Sequence, residues 1–320
     1  MSEKKNDVLV IGELNIDLIL GEIEKFPEMG KEVLAKSMNQ TLGSSSAIFA
    51  NNLSILGTKV SFLGKVGCDS YAEQIDSTLR QAGVDVSNIL KSQTYFTGIT
   101  IALNFGNERA MVTYPGAMCD LSIRDISDET LKSASHMHLS SMFLQDALKP
   151  DVVELFKRAK FHGMTTSLDP QWDPAENWDI DFNALLPLVD VFLPNETEIR
   201  MITNANSIED AIRRIKPFCK IVVVKNGING AIMWDGNKLI KKPAYLNKHV
   251  VDAIGAGDSF NAGFINRFIN HRSLDECLDF GALCGAVNTT ASGGTGAFQS
   301  LEAVKLCLKQ TFNKTFDYLK

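Results

Sequence analysis

Short β-branched runs alternate with helical apolar spacing along most of the chain. Val8–Ile11 is an apolar run ending at Gly12, too short for a helix and suited to a buried strand. Ala47–Leu56 has helical spacing and stops at Gly57, and Ser70–Ala82 does the same at Gly83. A glycine just past the last periodic residue marks a helix C-terminus. The same pattern predicts strands at Val60–Leu63, His136–Leu139, Thr165–Leu168, Val189–Leu193, Ile221–Val224 and Ala231–Trp234. Helices are expected at Asp151–Phe161, Thr197–Thr203, Ile208–Pro217 and Asp258–Asn270. Such alternation predicts an α/β fold, with a mostly parallel sheet covered by helices on both faces.

Two stretches break the alternation. Residues 13–42 contain Leu18-Ile19-Leu20 and Lys31–Ala35, separated by Pro27 and Gly30. Residues 95–118 alternate through Ile99, Ile101, Leu103 and Phe105, turn at Gly106-Asn107 and continue over Ala110–Tyr114. Both read as antiparallel hairpins projecting from the α/β body, where they would form a lid. No internal repeat is visible.

Composition narrows the picture by exclusion. Apolar residues are 45% and charged residues 22% of 320, the usage of a globular chain with a sizeable core. The net charge of −6 is spread without blocks, so the concentrated basic surface that nucleic acid needs is missing. Cys68, Cys119, Cys219, Cys277, Cys284 and Cys307 include no CxxC pair, which leaves zinc fingers and redox dithiols unsupported. A polar start followed by only four apolar residues does not make a signal segment. Nor does any run approach the ~20 residues that cross a bilayer, so a cytoplasmic location away from membranes is expected. His136 and His138 lie two apart on a strand with no third ligand nearby in sequence, and read as core histidines rather than a metal site.

Polar residues gather after the predicted strands: Asn15 and Asp17; Ser140 and Ser141; Asp169, Gln171 and Asp173; Asn195, Glu196 and Glu198; Lys225 and Gly227. Ligands of open parallel sheets bind beyond the carboxyl ends of the strands. The most informative segment is Val251–Phe260, in which the small residues Gly255, Ala256 and Gly257 precede a helix beginning near Asp258. Such a helix start offers unpaired N–H donors and a positive dipole end, which suit a phosphate. Asp258 beside it is able to accept a hydroxyl proton; a plain N-cap is the other reading. GxGxxG after the first strand and GxxxxGK[ST] are both absent, which removes nicotinamide-binding and P-loop readings.

Asp252-Ala253-Ile254-Gly255-Ala256-Gly257-Asp258 resembles the C-terminal signature of the ribokinase-like (PfkB) carbohydrate kinases. Gly12–Asp17 resembles that family's sugar-binding strand end, and Gly43–Gly57 its first signature. Asn195-Glu196-Thr197-Glu198 is similar to its NxxE motif and Lys225–Gly230 to its nucleotide loop, so the resemblance runs from about residue 7 to 300. It implies one domain over 1–320, a three-layer αβα sandwich with small β-strand lid segments at about 13–42 and 95–118. It also implies ATP-dependent phosphorylation of a primary sugar hydroxyl. Asp258 would be the base, and the N–H groups of Gly255, Ala256 and Gly257 would hold the transferring phosphoryl. The sugar would meet Asn15, Asp17, Gly43 and Ser44; ATP would meet Asn195, Lys225, Gly227 and Gly230. Mg²⁺ would accompany ATP, with Glu198 acting through water, and Asp252 with the Ile254 carbonyl would form a K⁺ loop. The first signature departs from the family pattern at Ser44, usually a second glycine, and at Ile48, usually an asparagine, and the lost amide bears on substrate choice. The expectation is a neutral sugar and a homodimer through the lid. An acidic sugar such as 2-keto-3-deoxygluconate (with Arg109 as its cationic partner), a nucleoside, and a non-catalytic sugar- or nucleotide-binding regulator remain the alternatives.

Overall fold

The computed structural model describes residues 4–105 and 108–315. The strands are β1 (Asn6–Ile11), β2 (Asn15–Gly21), β3 (Ser37–Leu42), β4 (Val60–Val66), β5 (Asp85–Lys91), β6 (Gly98–Phe105), β7 (Glu108–Tyr114), β8 (Ala134–Ser140), β9 (Thr165–Asp169), β10 (Val191–Phe192), β11 (Ile221–Lys225), β12 (Ala231–Trp234) and β13 (Leu239–Lys242). The helices are α1 (Ser45–Ile55), α2 (Ser70–Gln81), α3 (Asp128–Lys132), α4 (Val152–Phe161), α5 (Phe182–Leu185), α6 (Glu196–Thr203), α7 (Ile208–Ile215), α8 (Ala256–Ile269), α9 (Leu274–Asn288) and α10 (Leu301–Phe312).

Nine strands form the central sheet, in the order β13-β12-β11-β10-β9-β8-β1-β4-β5. Pairing is parallel from β11 to β5 and antiparallel only at β11–β12 and β12–β13. Successive residues of β1 show why helices cover both faces. Val8 and Val10 enter an apolar core shared with α1, α8 and α9, whereas Leu9 and Ile11 enter a second core shared with α4, α6 and α7. The chain therefore builds three layers, a ribokinase-like αβα sandwich. From β1 the sheet grows toward β5 on one side and toward β13 on the other. Next to β1, then, lies the point where strand order reverses, and a ligand crevice belongs at the carboxyl ends there.

The two segments outside the alternation make a separate four-stranded sheet, β3-β2-β6-β7. The β2–β3 and β6–β7 pairs are antiparallel, and β2 joins β6 in parallel. The Gly106-Asn107 turn lies outside the described residues. Lys31–Ala35 is not a strand: its residues are largely exposed, and the pairing begins at Ser37. The Val189–Leu193 run contracts to the two paired residues of β10. β5, β13, α3, α5, α9 and α10 were not expected from the pattern. In α9 the reason is physical, since ten of its fifteen residues are buried and no polar face reveals the period.

Candidate active site

The carboxyl end of β1 runs directly into the small sheet, so the residues after it belong to both sheets. Asn15 opens β2 and is buried; its Nδ2 donates to Asp17 Oδ1 at 3.0 Å and to Thr100 Oγ1 at 2.8 Å. Thr100 Oγ1 lies 3.0 Å from Thr113 Oγ1, which ties Asn15 across β6 to β7. Burial pushes the Asp17 carboxyl up to about 6, assisted by Asp252 and opposed by the Asn15 hydrogen bond and the Arg109 guanidinium. Gly43 approaches these groups so closely that a Cβ there would sit 2.1 Å from Asp17 Oδ1. Ser44 then caps α1: its Oγ accepts from Ala47 N at 3.0 Å and donates to the Glu13 carbonyl at 2.6 Å. The Glu13 side chain lies wholly in the interior and accepts from the Ser46 N–H at 3.2 Å and from the Ser46 hydroxyl. Burial raises its pKa against those bonds and one from Ser141.

The first turn of α8 meets the first turn of α1. Gly255 sits at φ 75°, and a Cβ there would lie 2.5 Å from the Gly294 Cα, so both geometry and space require glycine. No side chain caps α8. The Ala256 N–H turns back to the Ala253 carbonyl at 3.3 Å, contrary to the expectation that it would face a phosphoryl group. Among the described residues, the N–H groups of Gly255, Gly257 and Asp258 find no acceptor. Asp258, 8% exposed, accepts at Oδ1 from the Ser45 hydroxyl at 2.8 Å and the Gln171 amide at 3.2 Å. Its Oδ2 accepts from no described residue. Burial, and next the Asp169 charge, push this carboxyl up to about 7; Lys225 and the Ser45 hydrogen bond pull the other way.

Behind Asp258 lies a buried charge cluster. Lys225 Nζ contacts Asp169 Oδ2 at 2.6 Å, from the ends of β11 and β9, the two strands that flank β10. Burial works against the ammonium, but the Asp169, Glu198 and Asp258 carboxylates together outweigh it and raise its pKa. The ammonium also reaches the anion turn, since a Cβ on Gly257 would lie 3.7 Å from Lys225 Nζ. Glu198 and Asn195 form the capping box of α6 (Asn195 N to Glu198 Oε2 2.8 Å, Glu198 N to Asn195 Oδ1 2.9 Å). The remaining oxygen takes the Asn195 amide. Burial, and next Asp169, push the Glu198 carboxyl up to about 8. Asp252 accepts from Ile254 N at 2.9 Å and Gly293 N at 3.0 Å, while the Ile254 carbonyl takes Asn288 Nδ2 at 2.6 Å.

On the far side of the Ala256-Gly257 turn opens a cleft of about 310 Å³ with mostly apolar walls. Lys225, Gly227 and Gly230 line one wall, Tyr245 and Leu246 another, and α9 presents Ala282, Gly285, Ala286 and Thr289. The fold thus gathers Asn15, Asp17, Gly43 and Ser44 on one side of the turn at Gly255–Asp258. Lys225, Gly227 and Gly230 stand on the other, with Asn195 and Glu198 in the cluster behind. Sequence reasoning missed Glu13, Ser45 and the α9 wall. The last left a signal: small residues at 282, 285, 286 and 289 fall on one helical face. Arg109 belongs to the lid and acts on Asp17. His136 and His138 share Ser167 Oγ at 2.7 Å each, buried as core residues, and burial holds both pKa values below the ordinary value. A larger cavity, about 580 Å³, opens at the amino ends of the central strands β1, β8 and β9 beside Asp7, Thr58 and Phe268, away from these groups.

Similarity to known proteins follows the same outline. The chain is 27% identical over 310 residues to an ATP-dependent ribose-1-phosphate kinase of Halopiger xanaduensis, covering 96% of this chain and 99% of that one. It is 26% identical over 314 residues to a ribokinase of Staphylococcus aureus, at 93% and 98% coverage. The solved ribokinase of Arabidopsis thaliana, complexed with ribose and ATP, superposes with a TM-score of 0.81 at 24% identity, covering 96% of this chain and 99% of its own. The pfkB family carbohydrate kinase model matches residues 5–300, which takes in the Gly255–Asp258 turn, the four-stranded sheet and the Lys225–Gly230 loop alike. With that match extending over nearly the whole chain, the protein belongs to the pfkB family of carbohydrate kinases.

Proposed function

We propose that this kinase transfers the γ-phosphoryl group of Mg²⁺·ATP to a primary hydroxyl of a small neutral sugar. One observation carries the reading: among the described residues Asp258 Oδ2 has no hydrogen-bond partner, beside the uncapped start of α8 and between the Asn15–Asp17 groove and the apolar cleft. Asp258 accepts the hydroxyl proton as the sugar oxygen attacks in line. The free N–H groups of Gly255 and Gly257, with Lys225 close behind, stabilise charge on the transferring phosphoryl. The cleft holds the nucleotide. Both Glu198 oxygens are engaged by Asn195, so this carboxylate would hold Mg²⁺ through ordered water, in keeping with the reluctance of Mg²⁺ to dehydrate. A K⁺ ion would have to share the Ile254 carbonyl with Asn288, and no step is routed through it. The Asp17 carboxylate and Asn15 Oδ1 accept from vicinal sugar hydroxyls, since Asn15 Nδ2 already donates to Asp17 and Thr100.

A neutral substrate is favoured because Asp17, Asp252 and Asp258 surround the groove, while the field of Arg109 falls on Asp17. ADP release from Mg²⁺·ATP, measured against ribose, fructose, ribose 1-phosphate, a nucleoside and 2-keto-3-deoxygluconate, tests the reading. A neutral sugar is expected to give the highest kcat/KM. No acceptor-dependent ADP release, with ATP still bound, would mean a binding protein on this fold.

A further inference from the structure

We propose that Gln171 and Ser45 are positioning residues, a two-donor clamp that fixes the Asp258 carboxylate by Oδ1 and presents Oδ2 to the acceptor hydroxyl. The inference rests on Asp258 being the base. The Ser45 hydroxyl donates to Asp258 Oδ1 at 2.8 Å, and Gln171 Nε2 reaches the same oxygen at 3.2 Å. Gln171 Nε2 also lies 2.9 Å from Ser45 Oγ, so the two donors hold each other in register.

The Gln171 backbone is bent to bring its amide there. It sits at φ 57°, a left-handed conformation uncommon for a residue with a Cβ and often found where a site over-determines the chain. Asp169 enforces that bend: its Oδ1 accepts from Gln171 N at 3.3 Å and its Oδ2 from Gln171 Nε2 at 3.0 Å. Asp169 is itself pinned by Lys225 and by the Asn261 amide. The clamp is therefore anchored on β9 and α1, two elements that do not carry the base. Freed of it, Asp258 could swing Oδ1 away and lose its in-line alignment.

Four charged groups face Asp258: Asp169, Lys225, Glu13 and Glu198. None is removed by changing Gln171 or Ser45, so the variants isolate the donors. Two donors favour the ionised carboxylate, and removing either raises the pH at which Asp258 ionises. Gln171→Leu and Ser45→Ala should each lower kcat about tenfold, the scale of a modest misalignment, with the KM for ATP unchanged. The acid limb of kcat/KM, taken with the fastest sugar of the panel, should move to higher pH. Ser45→Thr keeps the hydroxyl and should restore the wild-type limb. In ligand-free protein, the Asp258 carboxyl ¹³C titration, assigned by its loss in Asp258→Asn, should move the same way and needs no substrate. Unmoved limbs and titrations in both variants overturn the clamp. Near-normal turnover in Asp258→Asn would instead overturn the base, while the titration still reads the clamp.

Discussion

Asp258 is a carboxylate kept among other carboxylates, and that placement sets its behaviour with pH. Its pKa lies near 7 for reasons of burial first and Asp169 second, so kcat/KM should rise through about pH 7 and level off above it. A flat profile from pH 5 to 9 would contradict this. Replacing Asp258 by Asn should cut turnover by roughly 10²–10⁴-fold, the usual weight of general base catalysis, with ATP binding intact by calorimetry. The same substitution should stabilise the fold. Between its ordinary value of 3.8 and about 7, the folded chain holds a proton at Asp258 that the unfolded chain has released. This group's contribution to stability thus falls as pH rises through that window. The Tm of Asp258→Asn should exceed the wild-type Tm at pH 8 and match it near pH 4, as read by thermal unfolding. That opposition of stability and use is common at sites built for chemistry.

The helix starts and turns of the site were legible where a motif repeats the physics, and illegible where burial hides it. Gly255–Asp258 could be read because small residues precede a helix start there and the whole segment from Asp252 to Asp258 resembles a family signature; among the described residues the Gly255 and Gly257 N–H groups meet no acceptor. Ala256 could not, because its turn to Ala253 depends on a backbone path no residue type specifies. Ser45 and Glu13 were hidden by distance: the bond from Ser45 to Asp258 spans 213 residues. α9 was hidden by being apolar nearly all round, although its small face closes the cleft. That face carries a prediction of its own. Ala286→Leu should fill the cleft and raise the KM for ATP at least tenfold, on the order of the discrimination that pocket contacts of one or a few methylenes provide. The sugar KM and the acid limb should stay put in initial-rate assays. An unchanged ATP KM would move the nucleotide elsewhere.

Across the whole molecule, two sheets meet at one seam, and the outward surface of the smaller one is unusual. Met38, Ile101, Val112 and Tyr114 are 40–70% exposed on one face of its strands, and both β3 and β7 are edges. Long exposed edges are generally covered, and a homodimer through this sheet is the expected outcome. Sedimentation at micromolar concentration should give a dimer for the wild type and a monomer for Val112→Lys; a monomeric wild type would refute it. The root of the same lid behaves differently. Just before β2, Glu13 is locked by Ser44 and Ser46 into the start of α1, and Asn15 is locked across to Thr100. The small sheet should therefore behave as a cantilever rather than a door, held by hydrogen bonds at its root and largely exposed at 24–37. Hydrogen exchange should record this as a gradient along one strand, slow at Ile16 and faster toward Gly21. Under the proposed function, the end of the groove that would touch the sugar stands ready before any nucleotide arrives, and closing over the substrate would bend a tip and leave the bearing where it is.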